Sequence, residues 1–332
     1  MSAKVNDNRH YEELPQPLTL PAPCSRSRIV HTQPALVAEL RGAGKSFAGR
    51  TALAGIDLAI HAGEMLAILG PNGAGKTTAI GLLTGRLNVD SGQASTFGAD
   101  PLVADNRRRF GVMLQDTELP ATLRAVELVR QFSAYYPQPR PVDETLTLAG
   151  ITSFAHQAYG MLSGGQKRRV QFALAICGQP DLLFVDEPTV GLDVEARRSL
   201  WAELTAMRDA GTAIVLTTHY LEEADALADH IVMLTDGRVV ASGSPAQIKA
   251  FASGKRLRFR SNLSTRELAR WPEVEHLHAD RDRIECRSRH AEALLRRLLA
   301  ADPHLADIEV SALSLEDAVL SISAANTQEQ AA

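Results

Sequence analysis

From Leu36 onward, the apolar residues fall into two alternating patterns. Short unbroken runs at Met65–Leu69, Leu182–Val185 and Ala213–Thr217 predict strands buried on both faces. Leu36–Leu40, Leu53–Ile60 and Phe110–Gln115 also read as strands. Helical periods predict Thr77–Leu87, Leu123–Tyr136, Val142–Ala149, Ser163–Ile176, Glu195–Asp209 and Leu221–His230. In Glu195–Asp209, Ala196, Leu200, Leu204 and Met207 share one face, and Gly211 closes the segment. Ile231–Leu234 and Val239–Ser242 flank Asp236-Gly237, a hairpin signal. Buried strands alternating with helices predict an α/β domain over residues 35–253.

The pattern changes after Gly254. Leu257–Arg260, Thr265–Trp271, Val274–His278, Arg283–Arg287, Ala291–Ala300 and Ile308–Ser311 read in the order βαββαβ, and Leu315–Ser321 reads as a last helix. This predicts a small ferredoxin-like α+β accessory domain over 254–324. Residues 1–34 are punctuated by five prolines and carry no period, so a disordered leader is expected there, and a disordered tail over 325–332.

Composition narrows the function class. A net charge of −4, with 45% hydrophobic and 22% charged residues, fits an ordinary globular protein and argues against a nucleic-acid binder driven by bulk positive charge. No apolar run approaches the ~20 residues of a membrane helix. The start has no signal-peptide pattern, so a cytoplasmic chain is expected, reaching a membrane only through a partner. Cys24, Cys177 and Cys286 are far apart and read as reduced thiols.

Three segments carry chemistry. Gly70, Pro71, Asn72, Gly73, Ala74, Gly75, Lys76, Thr77 and Thr78 fit GxxxxGK[ST] between a buried strand and a helix. Such glycines leave backbone N–H groups free to form an anion nest at a helix start. Lys76 should reach the outer phosphates and Thr77 should ligate Mg²⁺. Asp186 ends the strand Leu182–Val185 at the edge where ligands of open α/β sheets bind, placed to hold the Mg²⁺ shell. Glu187, one residue on, can contact a water near the terminal phosphate. In Leu162-Ser163-Gly164-Gly165-Gln166, Ser163 is equally an ordinary helix cap or part of a second anion-binding helix start. Gln115, His219 and Phe47 carry no assignment from spacing alone.

Taken in order, GPNGAGKTT at 70–78, Gln115, LSGGQ at 162–166, LLFVDE at 182–187, Gly191-Leu192-Asp193 and His219 resemble the nucleotide-binding subunits of ABC transporters, over about residues 36–250. The resemblance implies a P-loop ATPase domain with a helical signature subdomain at about 116–170, ATP and Mg²⁺ as cofactors, and hydrolysis coupled to transport. It makes Phe47 the ring that stacks on adenine and Gln115 a Mg²⁺ contact that senses the membrane partner. Glu187 becomes the general base and His219 the γ-phosphate sensor. Ser163, Gly165 and Gln166 would close on the ATP of a second copy, and Asp193 would link the two sites. Val190-Gly191 stands where the family often has Ser-Ala.

The ending Ser314-Leu-Glu-Asp-Ala-Val-Leu320 and the stretch 117–146 resemble daunorubicin-resistance-type exporter subunits, which work with a separately encoded integral membrane permease. The implied partners are therefore a second copy and a permease, at the cytoplasmic face of the inner membrane, with the segment between Gln115 and Leu162 as the docking region. The competing expectation is a soluble ABC-type ATPase without a permease.

Overall fold

The computed structural model describes residues 35–115, 117–251, 254–280, 283–319 and 321–322. The leader 1–34, the tail 325–332 and Cys24 lie outside the described residues. In chain order the elements begin β1 (Leu36–Phe47), β2 (Arg50–His61), β3 (Met65–Leu69), α1 (Lys76–Leu83), β4 (Ser91–Thr96), α2 (Ala104–Arg107) and β5 (Phe110–Met113). Then follow α3 (Ala125–Ser133), α4 (Val142–Leu148), α5 (Gly164–Ile176), β6 (Leu182–Asp186), α6 (Val194–Asp209), β7 (Ala213–Thr218), α7 (Leu221–Leu227), β8 (His230–Thr235), β9 (Arg238–Gly243) and α8 (Pro245–Phe251). The last part holds β10 (Lys255–Arg260), α9 (Thr265–Leu268), β11 (His276–Asp280), β12 (Arg283–Ser288), α10 (Ala291–Ala301) and β13 (Ala306–Ala312), and residues 315–319 and 321–322 are helical.

The central sheet has the order β5-β6-β7-β3-β8-β9, parallel except for the β8–β9 hairpin. Its central strands β3, β6 and β7 are buried at every position because both faces are covered. On one face Leu66, Ile68, Leu182, Phe184 and Val215 pack with α1 and the antiparallel sheet β2-β1-β4. On the other, Met65, Leu183, Val185, Ile214 and Leu216 pack with α3, α5 and α6. As its period predicts, α6 buries Leu200, Leu204 and Met207, with Ala196 against the same cluster.

Several boundaries differ from the sequence reading. The helix expected to reach Leu87 ends at Leu83, because Gly85 turns the chain at φ +67°. The expected Leu221–His230 helix stops at Leu227, since His230 already pairs with Leu66 in the sheet. Likewise α3 is shorter than Leu123–Tyr136, and β11 lies two residues later than expected. Strand β4, Ser-Gly-Gln-Ala-Ser-Thr, has no apolar run; pairing with β1 at a solvated sheet edge makes it a strand.

The C-terminal sheet is antiparallel in the order β11-β12-β10-β13. That is the interleaved order of a βαββαβ sandwich. Leu257, Phe259, Ile284 and Cys286 form its core with α9 and α10. The terminal helix leaves this core: Leu315, Ala318 and Ile322 pack with Leu69, Ile231, Met233 and Ile248 of the central domain.

Candidate functional site

The chemistry-bearing segments emerge at the carboxyl edge of the central sheet, where β3, β6 and β7 run parallel and end together. After β3 the loop 70–75 bends through Gly73 at φ +84° and Gly75 at φ +106°, both unfavourable for a side chain. A Cβ at Gly75 would lie 2.6 Å from the Ala52 oxygen and the Leu53 Cδ2, so only glycine permits this close approach. The loop ends at α1, whose cap carries no side-chain acceptor. Its first N–H groups are therefore left for a ligand.

Lys76 is buried, yet among the described residues its ammonium donates only to neutral carbonyls, Gly70 at 2.7 Å and Pro71 at 3.1 Å. Burial pulls its pKa down, against the opposing pull of the Glu187 and Asp186 charges. A phosphate would be a stronger partner than either carbonyl. The Thr77 hydroxyl donates to Asp186 Oδ2 at 3.1 Å, and the Thr217 hydroxyl donates to Asp186 Oδ1. Thr77 and Asp186 thus present the hard oxygen donors that suit Mg²⁺.

Glu187 follows at the end of β6 with its backbone in the left-handed region, φ +50°. Its N–H donates to the Thr217 carbonyl at 3.0 Å. One carboxylate oxygen accepts from Gln115 Nε2 at 3.1 Å, and the other lies 3.2 Å from His219 Nδ1. A cleft of about 290 Å³ is lined by Asn72, Gly73, Lys76, Thr77, Gln115 and Glu187, among others. One chain thus brings together the loop 70–78, Gln115, Asp186, Glu187 and His219. Oxygen donors for a cation, a glycine nest and a buried ammonium in one cleft fit a magnesium-bound nucleoside triphosphate.

Other predicted residues stand apart from this cleft. Ser163 caps α5 by accepting from the Gln166 N–H at 3.3 Å, while Gln166 Oε1 accepts from the Ser163 N–H at 2.9 Å. With Gly164, Gly165, Gly191 and Asp193 they line a second cleft. Asp193 caps α6, accepting from the Ala196 N–H at 2.8 Å. Phe47 is exposed at the end of β1, with Lys45 Nζ 5.6 Å from its ring centroid.

Sequence reasoning missed Thr217, which touches both Asp186 and Glu187, and Arg168, whose guanidinium binds the Glu187 carbonyl. For Thr217 the signal was a hydroxyl at the end of a buried strand that is apolar over its first four residues. For Arg168 it was a charge on the buried side of the helix that begins at Gly164.

Residues 53–190 match the family model described as ABC transporter. The daunorubicin/doxorubicin resistance ATP-binding protein DrrA of Streptomyces peucetius is 39% identical over 238 residues, covering 70% of this chain and 72% of that one. A Nod factor export ATP-binding protein I of Cupriavidus pinatubonensis is 37% identical over 222 residues, 64% of this chain and 68% of the other. Among solved structures, an ATP-binding subunit of an ABC transporter superposes with TM-score 0.60 at 26% identity, over 64% of this chain and 92% of that one. The dimeric cassette MJ0796 superposes with TM-score 0.57 at 25% identity, over 62% and 98%.

Proposed function

The chain belongs to the ABC transporter family of ATP-binding subunits, and from that premise we propose that it energises export through a separate membrane permease. It binds ATP with Mg²⁺ and hydrolyses it, working as a dimer with a permease partner. Among the described residues no helix is long and apolar enough to cross a membrane. The permease therefore supplies the path and selects the cargo. The relatives' names mention daunorubicin and doxorubicin resistance in one case and Nod factor export in another, so what they share is the ATP-binding subunit rather than one cargo.

One observation carries the assignment of roles: Lys76, the Thr77–Asp186 pair and Glu187 meet in a single cleft at the sheet edge. The N–H groups of 73–77 and the Lys76 ammonium would bind the β- and γ-phosphates, where charge builds up as the terminal bond breaks. Bound Mg²⁺, held by Thr77, Asp186 and Gln115, would supply charge neutralisation. Glu187 would accept a proton from the attacking water. His219, beside the Glu187 carboxylate, would hold the γ-phosphate, and Phe47 would offer its ring to adenine.

Ser163, Gly165 and Gln166 line a different cleft from Lys76, so a second copy would bring its own signature segment to this chain's phosphates. ATP would then be shared between two copies and hold them together until it is cleaved. We assign the permease contact to the surface at Thr117, Leu119, Ala121 and Gly160, which adjoins Gln115, and place the subunit at the cytoplasmic membrane face. Residues 35–253 would form the motor, with 254–324 as an accessory sheet anchored to it by the terminal helix.

The test is phosphate release and cargo movement in vesicles holding the chain with the membrane protein that co-purifies with it. Hydrolysis that rises with cargo, and cargo uptake that needs ATP, are expected. Hydrolysis indifferent to the permease would overturn the transport reading in favour of a freestanding ABC-type ATPase.

A further inference from the structure

The Arg168 guanidinium sits on the inner side of α5, buried, and gathers carbonyls from two separate loops. Its Nη1 donates to the Leu114 oxygen at 3.0 Å, to the Gln115 oxygen at 3.2 Å and to Gln171 Oε1 at 3.1 Å. Its Nη2 donates to the Glu187 oxygen at 3.1 Å. Gln171 in turn reaches the Thr117 oxygen at 3.3 Å and the Tyr159 hydroxyl at 3.2 Å. Arg169 next to it faces elsewhere, binding Glu203 at 2.9 Å and the Ala196 oxygen at 2.7 Å. The two adjacent arginines therefore serve different places: Arg169 joins α5 to α6, whereas Arg168 joins α5 to the main chain at Leu114–Gln115 and Glu187.

The carbonyl that Arg168 holds belongs to the residue with the most constrained backbone in the cleft. Glu187 is buried at φ +50°, a left-handed conformation that is unfavourable for a non-glycine residue and persists only where its surroundings hold it. Its peptide groups are fixed on both sides, the N–H by Thr217 and the C=O by Arg168. Its carboxylate is fixed by Gln115, whose own carbonyl is bound to the same guanidinium. A rigid, planar donor fork can serve several acceptors at fixed separation; a lysine ammonium lacks that geometry.

We propose that Arg168 is a positioning residue for Glu187. Its guanidinium ties the loop at Leu114–Gln115 to the main chain of Glu187, so that this loop and the carboxylate take up one arrangement together. The loop also fronts the cleft assigned above to the permease, lined by Gln115, Thr117, Glu118 and Leu119. A displacement there reaches Glu187 through one side chain rather than through the sheet. The proposal rests on the reading of Glu187 as general base.

The experiment compares wild-type chain, Arg168→Met, Arg168→Lys, Glu187→Gln and the Arg168→Met/Glu187→Gln double variant, each assembled with the permease. The readouts are kcat, ATP affinity from a fluorescent nucleotide, and melting temperature. Arg168→Met is expected to lose about ten- to a hundredfold in kcat, the range left by a missing charge-assisted hydrogen bond, with ATP affinity unchanged. Arg168→Lys should recover only part of the loss, and the double variant should be no slower than Glu187→Gln alone. Wild-type kcat in Arg168→Met overturns the proposal. So does a parallel fall of kcat, affinity and melting temperature in both Arg168 variants, which marks a purely structural arginine. Independent, multiplying losses in the double variant overturn it as well. Normal hydrolysis by Glu187→Gln removes the base and the proposal with it, whereas a stalled Glu187→Gln beside a normal Arg168→Met removes the proposal alone.

Discussion

The nucleotide cleft and the C-terminal sheet both concentrate charge, and they use it in opposite ways. In the cleft, Lys76 is buried against neutral carbonyls, although Asp186 and Glu187 are near enough to act on it through space. On the C-terminal sheet four arginines are paired with acids: Arg258 with Glu285 at 2.8 Å, Arg260 with Asp307 at 2.7 Å, and Arg256 and Arg287 with the buried Asp317. Charges that satisfy one another hold structure together. A buried ammonium left on weaker acceptors is ready for a ligand, and its desolvation has already been met in folding.

The largest effect expected from this contrast is at Glu187. Glu187→Gln should lower kcat by about 10²–10⁴ while ATP still binds and the dimer stays closed, as size-exclusion chromatography with ATP will read. Equal loss of binding and turnover would break the distinction between base and binder. Next comes Asp317, which joins β10 and β12 to the terminal helix and is capped by Ser314. Asp317→Ala should cost about 3–5 kcal/mol in denaturant unfolding, because two half-buried arginines lose their shared partner. Its kcat should stay within about twofold, since neither Asp317 nor its two arginines line the nucleotide cleft. A collapse of turnover without loss of stability would erase the contrast.

Lys76→Ala is expected to weaken ATP binding by about ten- to a hundredfold, measured by equilibrium titration, with little change in melting temperature. The smallest effect concerns pH. Burial pushes the Asp317 pKa up, but the Ser314 N–H and hydroxyl and the two arginines outweigh it, and the net shift is downward. A depressed carboxylate contributes stability above its unfolded pKa of ~3.9 and loses it as pH falls through the folded value. The stability difference between Asp317→Asn and wild type should therefore begin to shrink as pH falls below about 4 and close only once pH has passed below the depressed folded value, as paired thermal melts will read. A difference that stays constant as pH falls from neutral through the acid range would assign the stabilisation to shape rather than charge.

Legibility in the sequence followed the same division. The loop 70–78, the Asp186-Glu187 pair and the helix cap at Ser163 were readable because each is a local device: strand, turn and helix start within a few residues. Thr217 and Arg168 were not, since a hydroxyl on β7 and a guanidinium on α5 gain meaning only from polar groups 19 to 54 positions away, the Asp186 carboxylate and Glu187 N–H for the one and main-chain carbonyls for the other. Strand β4 escaped for a related reason: its identity lies in its pairing with β1 rather than in its own side chains.

By itself the chain determined the apolar strands, the helix faces, the glycine loop and the order βαββαβ, because period, turn chemistry and burial act between near neighbours. Tertiary structure alone decided three things. It set the convergence of β3, β6 and β7 on one cleft, the separation of Ser163 and Gln166 from Lys76, and the return of the terminal helix to the central core. Each of these depends on which distant surfaces exclude water together, and spacing along the chain does not encode that choice locally.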